Sequence, residues 1–319
     1  MNVSDSILVT VAMAIYRPNI EWLKEELSSI AAQTYKHFQV YAWNDDPNDE
    51  YDYDFLFSQY LKDIPFRIYH GSQNLGSNKV FEKLTILAKT PYIAYCDQDD
   101  VWLPEKLSVL LHLFDDENVT LACSDMYVID ENSKVVSNSI TKIRPRQILY
   151  SGPDMIAHLL AKNFITGCTM MMKTEIARKA IPFPRFFFHD WWLASFAALL
   201  GKIRISDRPL MNYRVYEGNQ SKPLARIHSK AEYLEKYIIP YRQFIELVSR
   251  YFAGDKRLQP YKRWSEVRIS YFQRPTWKNA SYLWKRKDWA PSTTKLELLL
   301  PFIPSFIFSL FLRKIQSSQ

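Results

Sequence analysis

Cysteine pairs and export signals are absent from this chain of 319 residues. Its three cysteines, Cys96, Cys123 and Cys168, are odd in number and far apart, and no C-x-x-C pair occurs. This pattern argues against a disulfide framework and against a zinc site, so we expect reduced thiols in a cytosolic compartment. No basic residue precedes the apolar run Ile7 to Tyr16, and Asp5 stands where a signal peptide would carry Lys or Arg. We therefore expect no export.

Glycine is also scarce, with seven residues, whereas 47% of the chain is hydrophobic. A chain of this size and composition can bury one large domain plus an appendage. Of its 41 Lys and Arg and 34 Asp and Glu, 18 and 7 respectively lie from Ala225 onward. The C-terminal part therefore carries a net charge of +11 and the rest −4. We predict a main domain over residues 1–224 and a basic, helical C-terminal region over residues 225–319.

An apolar run long enough to span a membrane is missing as well. The segment Leu298 to Leu312 falls short of the roughly 20 residues that a spanning helix needs, and Pro301 and Pro304 interrupt it. The same region contains Trp264, Trp277, Trp284 and Trp289. Basic, Trp-rich segments suit an anionic membrane surface, so we expect a cytoplasmic protein that is peripheral on the inner face of the cell membrane. The alternative is a helical tail that packs on the body.

Strand-like and helix-like patterns alternate through the first hundred residues. Two helical stripes follow the first and third strands, one through Leu23 and Leu27 and one through Val80 and Leu84. The strand-like runs are Ile7 to Ala14, Phe38 to Trp43, Phe66 to His70 and Tyr92 to Cys96. This alternation predicts a mostly parallel α/β sheet flanked by helices, whose ligands bind beyond the carboxyl ends of the strands.

Three carboxylates follow the fourth strand within four residues, in "YCDQDDVW". Because like charges repel at close range, we expect a divalent cation to sit on this cluster. The alternate spacing of Asp97 and Asp99 in an extended segment would point those two side chains to one side. Asp100 would be an outer helper or the solvated cap of the helix that Pro104 opens. The alternative is a solvated turn without a ligand.

Five ordered motifs resemble a known family. They are "QTYKHFQVYAWNDD", "NLGSNKVFEKL", "YCDQDDVWLPEKL", "NFITGCTMMMK" and "HDWWLA". Together they resemble the bacterial family-2 glycosyltransferases of the GT-A fold, especially the rhamnosyltransferase-like members that assemble surface polysaccharides. The resemblance covers Ile7 to Ser221. It implies a Rossmann-like nucleotide-binding fold and transfer of a sugar from a UDP- or dTDP-sugar to a saccharide acceptor on a polyprenyl diphosphate lipid.

The resemblance also implies roles for residues in each motif. Asp97 and Asp99 match the family's D-x-D, which would hold Mg2+ or Mn2+ against the donor diphosphate, with Asp97 also on the nucleotide. Asp45 matches the aspartate that accepts the imide N–H of uracil or thymine, and a turn before Pro47 is the alternative. The remaining donor-side residues are Tyr16, Gly76 and Lys79. The sugar pocket would be lined by Thr166, Gly167 and Cys168, whereas Met170 to Met172 are expected in the core.

Asp190 in "FFFHDWWLA" is the candidate catalytic base, because the family's base is the Asp of an E-D or H-D pair that opens a helix. An inverting transfer needs one carboxylate to take the proton of the acceptor hydroxyl. His189, Trp191 and Trp192 would line the acceptor side. The alternative is that Asp190 only caps a helix over Trp191 to Leu200.

One departure from the family and two other function classes stay open. Tyr216, with Glu217 beside it, stands where many relatives carry a metal-binding His. A sugar-phosphate nucleotidylyltransferase is less favoured, because "AIYRPNIEW" lacks the glycine-rich loop that would follow its first strand. A non-catalytic basic binding protein would not explain an acidic cleft, so we expect no nucleic-acid partner.

Overall fold

The structure, a computed structural model, describes residues 7–144, 147–150, 155–216 and 227–317. The chain divides into two compact units. The first comprises Met1–Met155 and Phe164–Tyr216, and the second comprises Ile156–Asn163 and Glu217–Gln319. The predicted boundary at residue 224 does not anticipate that Ile156–Asn163 groups with the C-terminal unit.

The strands and helices alternate along the first unit. The strands are β1 (Val9–Ile15), β2 (Phe38–Asn44), β3 (Phe66–His70), β4 (Tyr92–Cys96), β5 (Val101–Trp102), β6 (Val119–Cys123), β7 (Tyr127–Ile129), β8 (Val135–Ser137), β9 (Met171–Lys173), β10 (Lys202–Ile205) and β11 (Met211–Arg214). The helices up to residue 200 are α1 (Ile20–Ala31), α2 (Tyr53–Tyr60), α3 (Ser77–Leu87), α4 (Lys106–His112), α5 (Ile140–Ile143), α6 (Met155–Ala161), α7 (Thr174–Lys179) and α8 (His189–Leu200).

A large central sheet organises the first unit. In the described residues its order is β10-β6-β9-β4-β1-β2-β3, and β5-β11-β7-β8 form a smaller sheet. The pairs β3–β2, β2–β1, β1–β4 and β6–β10 are parallel, and β9 runs antiparallel to both of its neighbours. The mostly parallel α/β sheet predicted from the sequence is confirmed.

Burial on both faces explains why the central strands are almost continuously apolar. In β1, Val9, Val11 and Met13 on one face are fully buried, and so are Thr10 and Ala12 on the other. Leu23 and Leu27 of α1 belong to the same core cluster. The register pairs Ile15 with Asn44 and Asn44 with His70, so β1, β2 and β3 end side by side. The loops that follow these strands and β4 are therefore brought to one edge of the sheet.

The second unit is helical, as predicted. Its helices beyond α6 are α9 (Lys230–Tyr233), α10 (Ile239–Tyr251), α11 (Gln259–Gln273), α12 (Trp277–Trp284), α13 (Pro291–Leu299) and α14 (Ser305–Ser317). A buried ion pair between Arg268 and Glu297, 2.5 Å apart, crosses its core, and the Tyr233 hydroxyl also donates to Glu297. Trp264 is fully buried against the Arg268 guanidinium. Part of the basic and tryptophan content of this region therefore serves packing.

The apolar segment near the C-terminus is divided between two helices with an inner and an outer face. Leu300, Phe308 and Leu312 are buried together with Tyr233 and Ile238. Within the described part of the chain, no helix combines the length and hydropathy that a membrane crossing requires.

Candidate active site

The acidic segment after β4 forms a bend rather than an extended strand. The chain turns at Gln98 and Asp99, so the predicted alternation of an extended segment is wrong. Gln98 fixes this bend to the end of β1, because its amide accepts from the Tyr16 N–H at 2.7 Å and donates to the Tyr16 carbonyl at 3.0 Å. The loop that holds Tyr16 and the acidic bend are therefore one assembly.

Asp97 and Asp100 converge with Cys168, and one ligand atom from each lies within 4.8 Å of the others. Burial, followed by the charges of Asp99 and Asp190, raises the pKa of Asp97 to about 7. Burial also raises the pKa of the Cys168 thiol well above its ordinary range, which leaves the thiol neutral. The ligands that this cluster offers to a cation are therefore the carboxylate oxygens of Asp97 and Asp100 rather than a thiolate.

The bend fits a divalent cation. The Asp100 side chain is 1% exposed, and its Oδ2 is buried without a hydrogen-bond partner among the described residues. A buried carboxylate oxygen without a donor is costly unless a cation or water satisfies it. Carboxylate oxygens are the ligands that Mg2+ and Mn2+ favour. Family members generally use divalent metals, and this donor set is compatible with that use.

Arg214 at the end of β11 organises the other side of the bend. Its backbone N–H donates to Asp100 Oδ1 at 3.0 Å, and its Nε donates to the Asp99 carbonyl at 2.8 Å. Its fully buried guanidinium also pairs with Glu25 at 2.6 Å. Because α4 begins at Lys106 with Glu105 before it, the reading of Asp100 as a solvated helix cap is wrong. Asp100 is instead a buried, structurally held carboxylate.

A lysine is buried beneath the carboxylates, and the sequence did not single it out. Lys106 is fully buried, and its Nζ donates to the Cys168 carbonyl at 2.6 Å while lying 3.6 Å from the centroid of the Trp102 ring. Burial lowers the pKa of Lys106, and the charges of Glu26 and Asp100 are among those that oppose the effect. The chain thus supplies one cation of its own beneath the acidic bend.

A buried glutamate, Glu26, interacts electrostatically with Lys106. Glu26 of α1 is fully buried, and its Oε1 accepts from Cys96 Sγ at 2.9 Å. Its Oε2 has no hydrogen-bond partner among the described residues. Burial raises the pKa of Glu26 to about 8, against an ordinary value of 4.5. The neutral acid is therefore the form that the fold favours at pH 7.

Replacing Glu26 with Gln should remove a pH-dependent loss of stability. A carboxyl whose pKa is raised on folding stabilises the fold below its unfolded pKa, and that contribution is lost as the pH rises through the folded value, here about 8. Each pH unit in this window is worth about 1.4 kcal/mol. The Tm advantage of Glu26→Gln over the parent should grow from pH 5 to pH 8 in calorimetric scans. Parallel curves would show that Glu26 titrates normally.

Asp190 lies at the start of α8, beside the turn that precedes β9, because a Cβ added at Gly167 would lie 3.7 Å from the Asp190 Cβ. The helix begins at His189 with Phe188 as its N-cap, so Asp190 is a first-turn residue and the alternative of a helix capped by Asp190 is wrong. Its Oδ1 accepts from the N–H of Trp191 at 2.5 Å. Its negative charge contributes to the raised pKa of Asp97, which places the two carboxylates within electrostatic reach of each other.

His189 packs inward. Its ring centroid lies 4.5 Å from that of Phe81 and 6.1 Å from that of Tyr95, and burial lowers its pKa to about 3. Its Nε2 is buried without a hydrogen-bond partner in the described residues. A Cβ added at Gly167 would meet this Nε2 at 2.8 Å, so only glycine fits there. The neutral imidazole is therefore a support of the site rather than a charged group.

Asn78 at the start of α3 holds the segment that leads into α8. Its Nδ2 donates to the carbonyls of Pro184, at 3.0 Å, and Phe187, and its Oδ1 accepts from the His189 N–H at 3.1 Å. One side chain therefore satisfies three backbone groups immediately before Asp190. The position of the candidate base depends on this asparagine.

The predicted acceptor-side tryptophans lie deeper than expected. Trp192 is fully buried, and its Nε1 donates to the Ala180 carbonyl at 2.7 Å, while Trp191 is 8% exposed. Because Trp192 has no free ring surface, we do not retain it as a sugar contact. Met170, Met171 and Met172 are also fully buried, as predicted for core residues.

The predicted sugar-pocket segment forms a turn before a short strand. Gly167–Thr169 is a 3-10 turn, and β9 follows from Met171. Thr166 Oγ1 accepts from Gln147 at 3.4 Å and is partly exposed, whereas Cys168 is 1% exposed. Of Thr166, Gly167 and Cys168, Thr166 is therefore the residue whose side chain is accessible to a ligand, whereas Cys168 is buried.

Asp45 holds the loop between β3 and α3. Its Oδ1 accepts from the Leu75 N–H at 2.9 Å and its Oδ2 from the Gly76 N–H at 2.8 Å. Gly76 has a φ of 78°, in the left-handed region that favours glycine. Asp45 does more than form a turn before Pro47. Its carboxylate, which is 3% exposed, joins the loop after β2 to the loop before α3.

Two basic residues near the donor side are already paired. Arg17 Nε donates to Asp46 Oδ2 at 2.7 Å, which is the main cause of the lowered pKa of Asp46. Lys79, predicted to meet a phosphate, instead pairs with Glu82 at 2.7 Å. Glu82 also accepts from the Phe183 N–H at 2.5 Å. The Lys79–Glu82 pair therefore helps to connect α3 to the segment at Phe183, and we do not retain Lys79 as a phosphate contact. Glu217, which follows Tyr216 at the position of the family's late His, lies outside the described residues.

Solved structures with the same architecture define the class. TarS of Staphylococcus aureus, residues 1–349, aligns with a TM-score of 0.60 over 98% of this chain and 90% of that one, at 14% identity. The complex of that protein with UDP-GlcNAc aligns with the same TM-score. At this identity the likeness shows the fold, and the chain has the GT-A fold of glycosyltransferases with a helical C-terminal region.

Residues 10–180 match the family model described as glycosyl transferase family 2, which is more than half of the chain. The chain belongs to glycosyl transferase family 2. An uncharacterized glycosyltransferase of Methanocaldococcus jannaschii is 28% identical over 72% of this chain and 77% of its own length. The dTDP-rhamnosyl transferase RfbG of Shigella flexneri is 24% identical over 73% and 82%. The glucosyltransferase WfgD of Escherichia coli, named for UDP-Glc and an α-D-GlcNAc-diphosphoundecaprenol acceptor, is 22% identical over 59% and 69%.

Proposed function

We propose that this glycosyltransferase is an inverting, cation-dependent enzyme that moves a sugar from a UDP- or dTDP-sugar to a hydroxyl of a lipid-linked saccharide. The observation that carries the proposal is that Asp190 and the acidic bend both lie against the turn at Gly167 and Cys168. A Cβ on Gly167 would lie 3.7 Å from the Asp190 Cβ, and Cys168 groups with Asp97 and Asp100. An inverting transfer needs a base on one side of the anomeric carbon and, on the other side, a carboxylate that holds the diphosphate through a cation. Asp190 and Asp97 lie close enough together to fill these two roles.

The reaction requires one proton transfer and one displacement. The acceptor oxygen attacks the anomeric carbon, the bond from that carbon to the diphosphate oxygen breaks, and the electron pair leaves with the nucleoside diphosphate. Asp190 takes the hydroxyl proton. With an ordinary pKa near 4, an aspartate is a weak base, so it acts late, after the attacking oxygen has become acidic.

The carboxylates of the bend would hold Mg2+ or Mn2+, which would offset the negative charge that develops on the leaving diphosphate. Asp97 and Asp99 are the proposed ligands, and the buried Oδ2 of Asp100 offers a further oxygen. Lys106 lowers the repulsion among these groups from below. Thr166 and Trp191 are retained as candidate acceptor contacts.

Base recognition is proposed for Asp45 and Tyr16. Both Asp45 oxygens already accept one backbone hydrogen bond, and a carboxylate oxygen can accept another. An imide N–H from uracil or thymine is such a donor, whereas cytosine lacks it. Tyr16 is 38% exposed next to this loop assembly, so its ring has surface for stacking on a base.

A donor screen tests the proposal. Purified protein would be given a panel of UDP-, dTDP-, GDP- and CDP-sugars with Mn2+, and release of each nucleoside diphosphate would be measured. We expect release from UDP- or dTDP-sugars only, and its loss in EDTA. Formation of a nucleotide sugar and pyrophosphate from a sugar phosphate and a nucleoside triphosphate would instead indicate the nucleotidylyltransferase alternative. Names of relatives such as WfgD support undecaprenol-linked acceptors for the second round of screening.

An anionic membrane surface is the second proposed partner. Exposed apolar side chains cluster along the end of α13 and the outer face of α14. This apolar patch consists of Leu299, Phe302, Phe306, Ile307 and Leu310, which are between 43% and 70% exposed. It belongs to the part of the chain that carries the +11 charge. An apolar patch beside positive charge suits the headgroup region of a bilayer with anionic lipids, where a lipid-linked acceptor would lie.

Replacing Phe302 and Phe306 together with Glu should abolish vesicle binding. Burying one such side chain is worth about 1.5–3 kcal/mol, so the double variant should partition into anionic vesicles at least about 100-fold less in sedimentation assays. Phe55→Glu is the matched control, because Phe55 is 61% exposed in the other unit. Equal sedimentation of the two variants would contradict the patch, and failure of the parent to sediment at low salt would contradict membrane binding itself.

A further inference from the structure

The phenol of Tyr216 contacts the acidic bend directly. Its hydroxyl donates to Asp99 Oδ2 at 2.8 Å, and its ring lies 4.8 Å from the ring of Trp22. Tyr216 follows β11 by two residues, and β11 ends at Arg214. The strand end that anchors the backbone of the bend through Arg214 therefore also reaches one of its carboxylates.

The hydrogen bond restricts the Asp99 side chain. Arg214 Nε holds the backbone carbonyl of Asp99 at 2.8 Å, and Tyr216 holds one oxygen of the Asp99 side chain. With the backbone and the carboxylate both held, the side chain is restricted to fewer orientations. Tyr216 is itself fixed by the ring of Trp22, so its hydroxyl is not free to swing away.

A phenol at this position acts as a hydrogen-bond donor, because its hydroxyl donates to the Asp99 carboxylate. A protonated phenol that already donates to a carboxylate is a poor cation ligand, because ligands bind in their deprotonated form. Its hydrogen bond to Oδ2 instead fixes the direction in which the Asp99 carboxylate faces.

We propose that Tyr216 is a positioning residue that presents Asp99 to the divalent cation and does not bind the cation itself. The proposal rests on the cation dependence stated under the proposed function. It assigns to Tyr216 the task that hydrogen-bonding partners of metal ligands perform in other sites, where their loss typically lowers metal affinity by about 10–100-fold.

Calorimetric titration of Mn2+ into the full-length protein, with UDP present at saturation, tests this role without measuring turnover. Tyr216→Phe keeps the ring against Trp22 and removes only the hydroxyl, so we expect Mn2+ affinity to fall by about 10-fold at an unchanged Tm. Tyr41→Phe is the control, since its ring packs on Tyr69 away from the bend.

A double-variant cycle with Asp99→Asn separates positioning from a direct contact. If Tyr216 acts through Asp99, Tyr216→Phe should have no further effect on Mn2+ affinity once Asp99 is Asn. Equal losses in both backgrounds, or unchanged affinity in Tyr216→Phe alone, would overturn the proposal. If the parent protein itself binds no Mn2+, the cation dependence of the proposed function fails, which is a different result.

Discussion

Replacement of Asp190 with Asn should lower kcat by about 10²–10⁴-fold while donor Kd stays within about threefold of the parent value. The asparagine keeps an Oδ1 that can accept the Trp191 N–H, so the first turn of α8 is preserved. Only the ability to take the acceptor proton is lost. The measurements are kcat on the best donor and acceptor pair, donor Kd by calorimetry, and Tm.

Asp54→Asn is the matched control for this experiment, because Asp54 is also an acidic residue in the first turn of a helix, α2. Both substitutions remove a favourable charge near a helix N-terminus, which is worth about 0.3–1 kcal/mol. Near-normal transfer by a folded Asp190→Asn protein would remove Asp190 from the mechanism. A joint loss of Tm and donor affinity would instead assign it a structural role.

Replacement of Asp97 with Asn should abolish the cation-dependent part of donor binding, a loss of at least about 100-fold in UDP affinity with Mn2+. The same substitution should raise the Tm of the cation-free protein. Asp97 repels Asp99 and Asp190 in the folded state, which is part of why its pKa rises to about 7. Removing one of three crowded negative charges relieves that repulsion.

The opposite signs of these two effects make the test sharp. Calorimetry with and without EDTA reports UDP affinity, and thermal scans in EDTA report the stability of the cation-free protein. Asp63→Asn, an exposed aspartate of the same unit, should change neither. If UDP affinity is the same with and without EDTA in both the parent and Asp97→Asn, the acidic bend is not a cation site.

Much of the fold follows from periodicity in the sequence. The strands β1 to β4 match the strand-like runs within two residues at each end. In β1 and β4 the reason is burial on both faces, which requires an almost continuously apolar strand. The order of the strands beyond β4 does not follow from such patterns. The segment Met171–Lys173 is only three residues long, and its antiparallel position between β4 and β6 depends on long-range pairing.

The acidic residues of the candidate site were predictable from the sequence, and their buried support was not. Asp97 and Asp190 stand out by their positions, after a strand and at a helix start. Lys106, Glu26 and Arg214 do not, because a charged residue in an amphipathic helix or a short strand is usually solvated. Only the three-dimensional structure reveals that these three are buried. Asn78 was likewise hidden, since nothing in "NLGSNK" indicates three contacts with a segment more than 100 residues away.

The loop that enters α3 and the first turn of that helix connect the proposed nucleotide side of the site with its proposed acceptor side. Leu75 and Gly76 donate to Asp45, the proposed base contact, and Asn78 holds the backbone before Asp190, the proposed catalytic base. Substitutions that reshape one pocket therefore shift the other, and their effects should be non-additive. We therefore expect a variant selected for a new donor sugar to need compensating substitutions on its acceptor side.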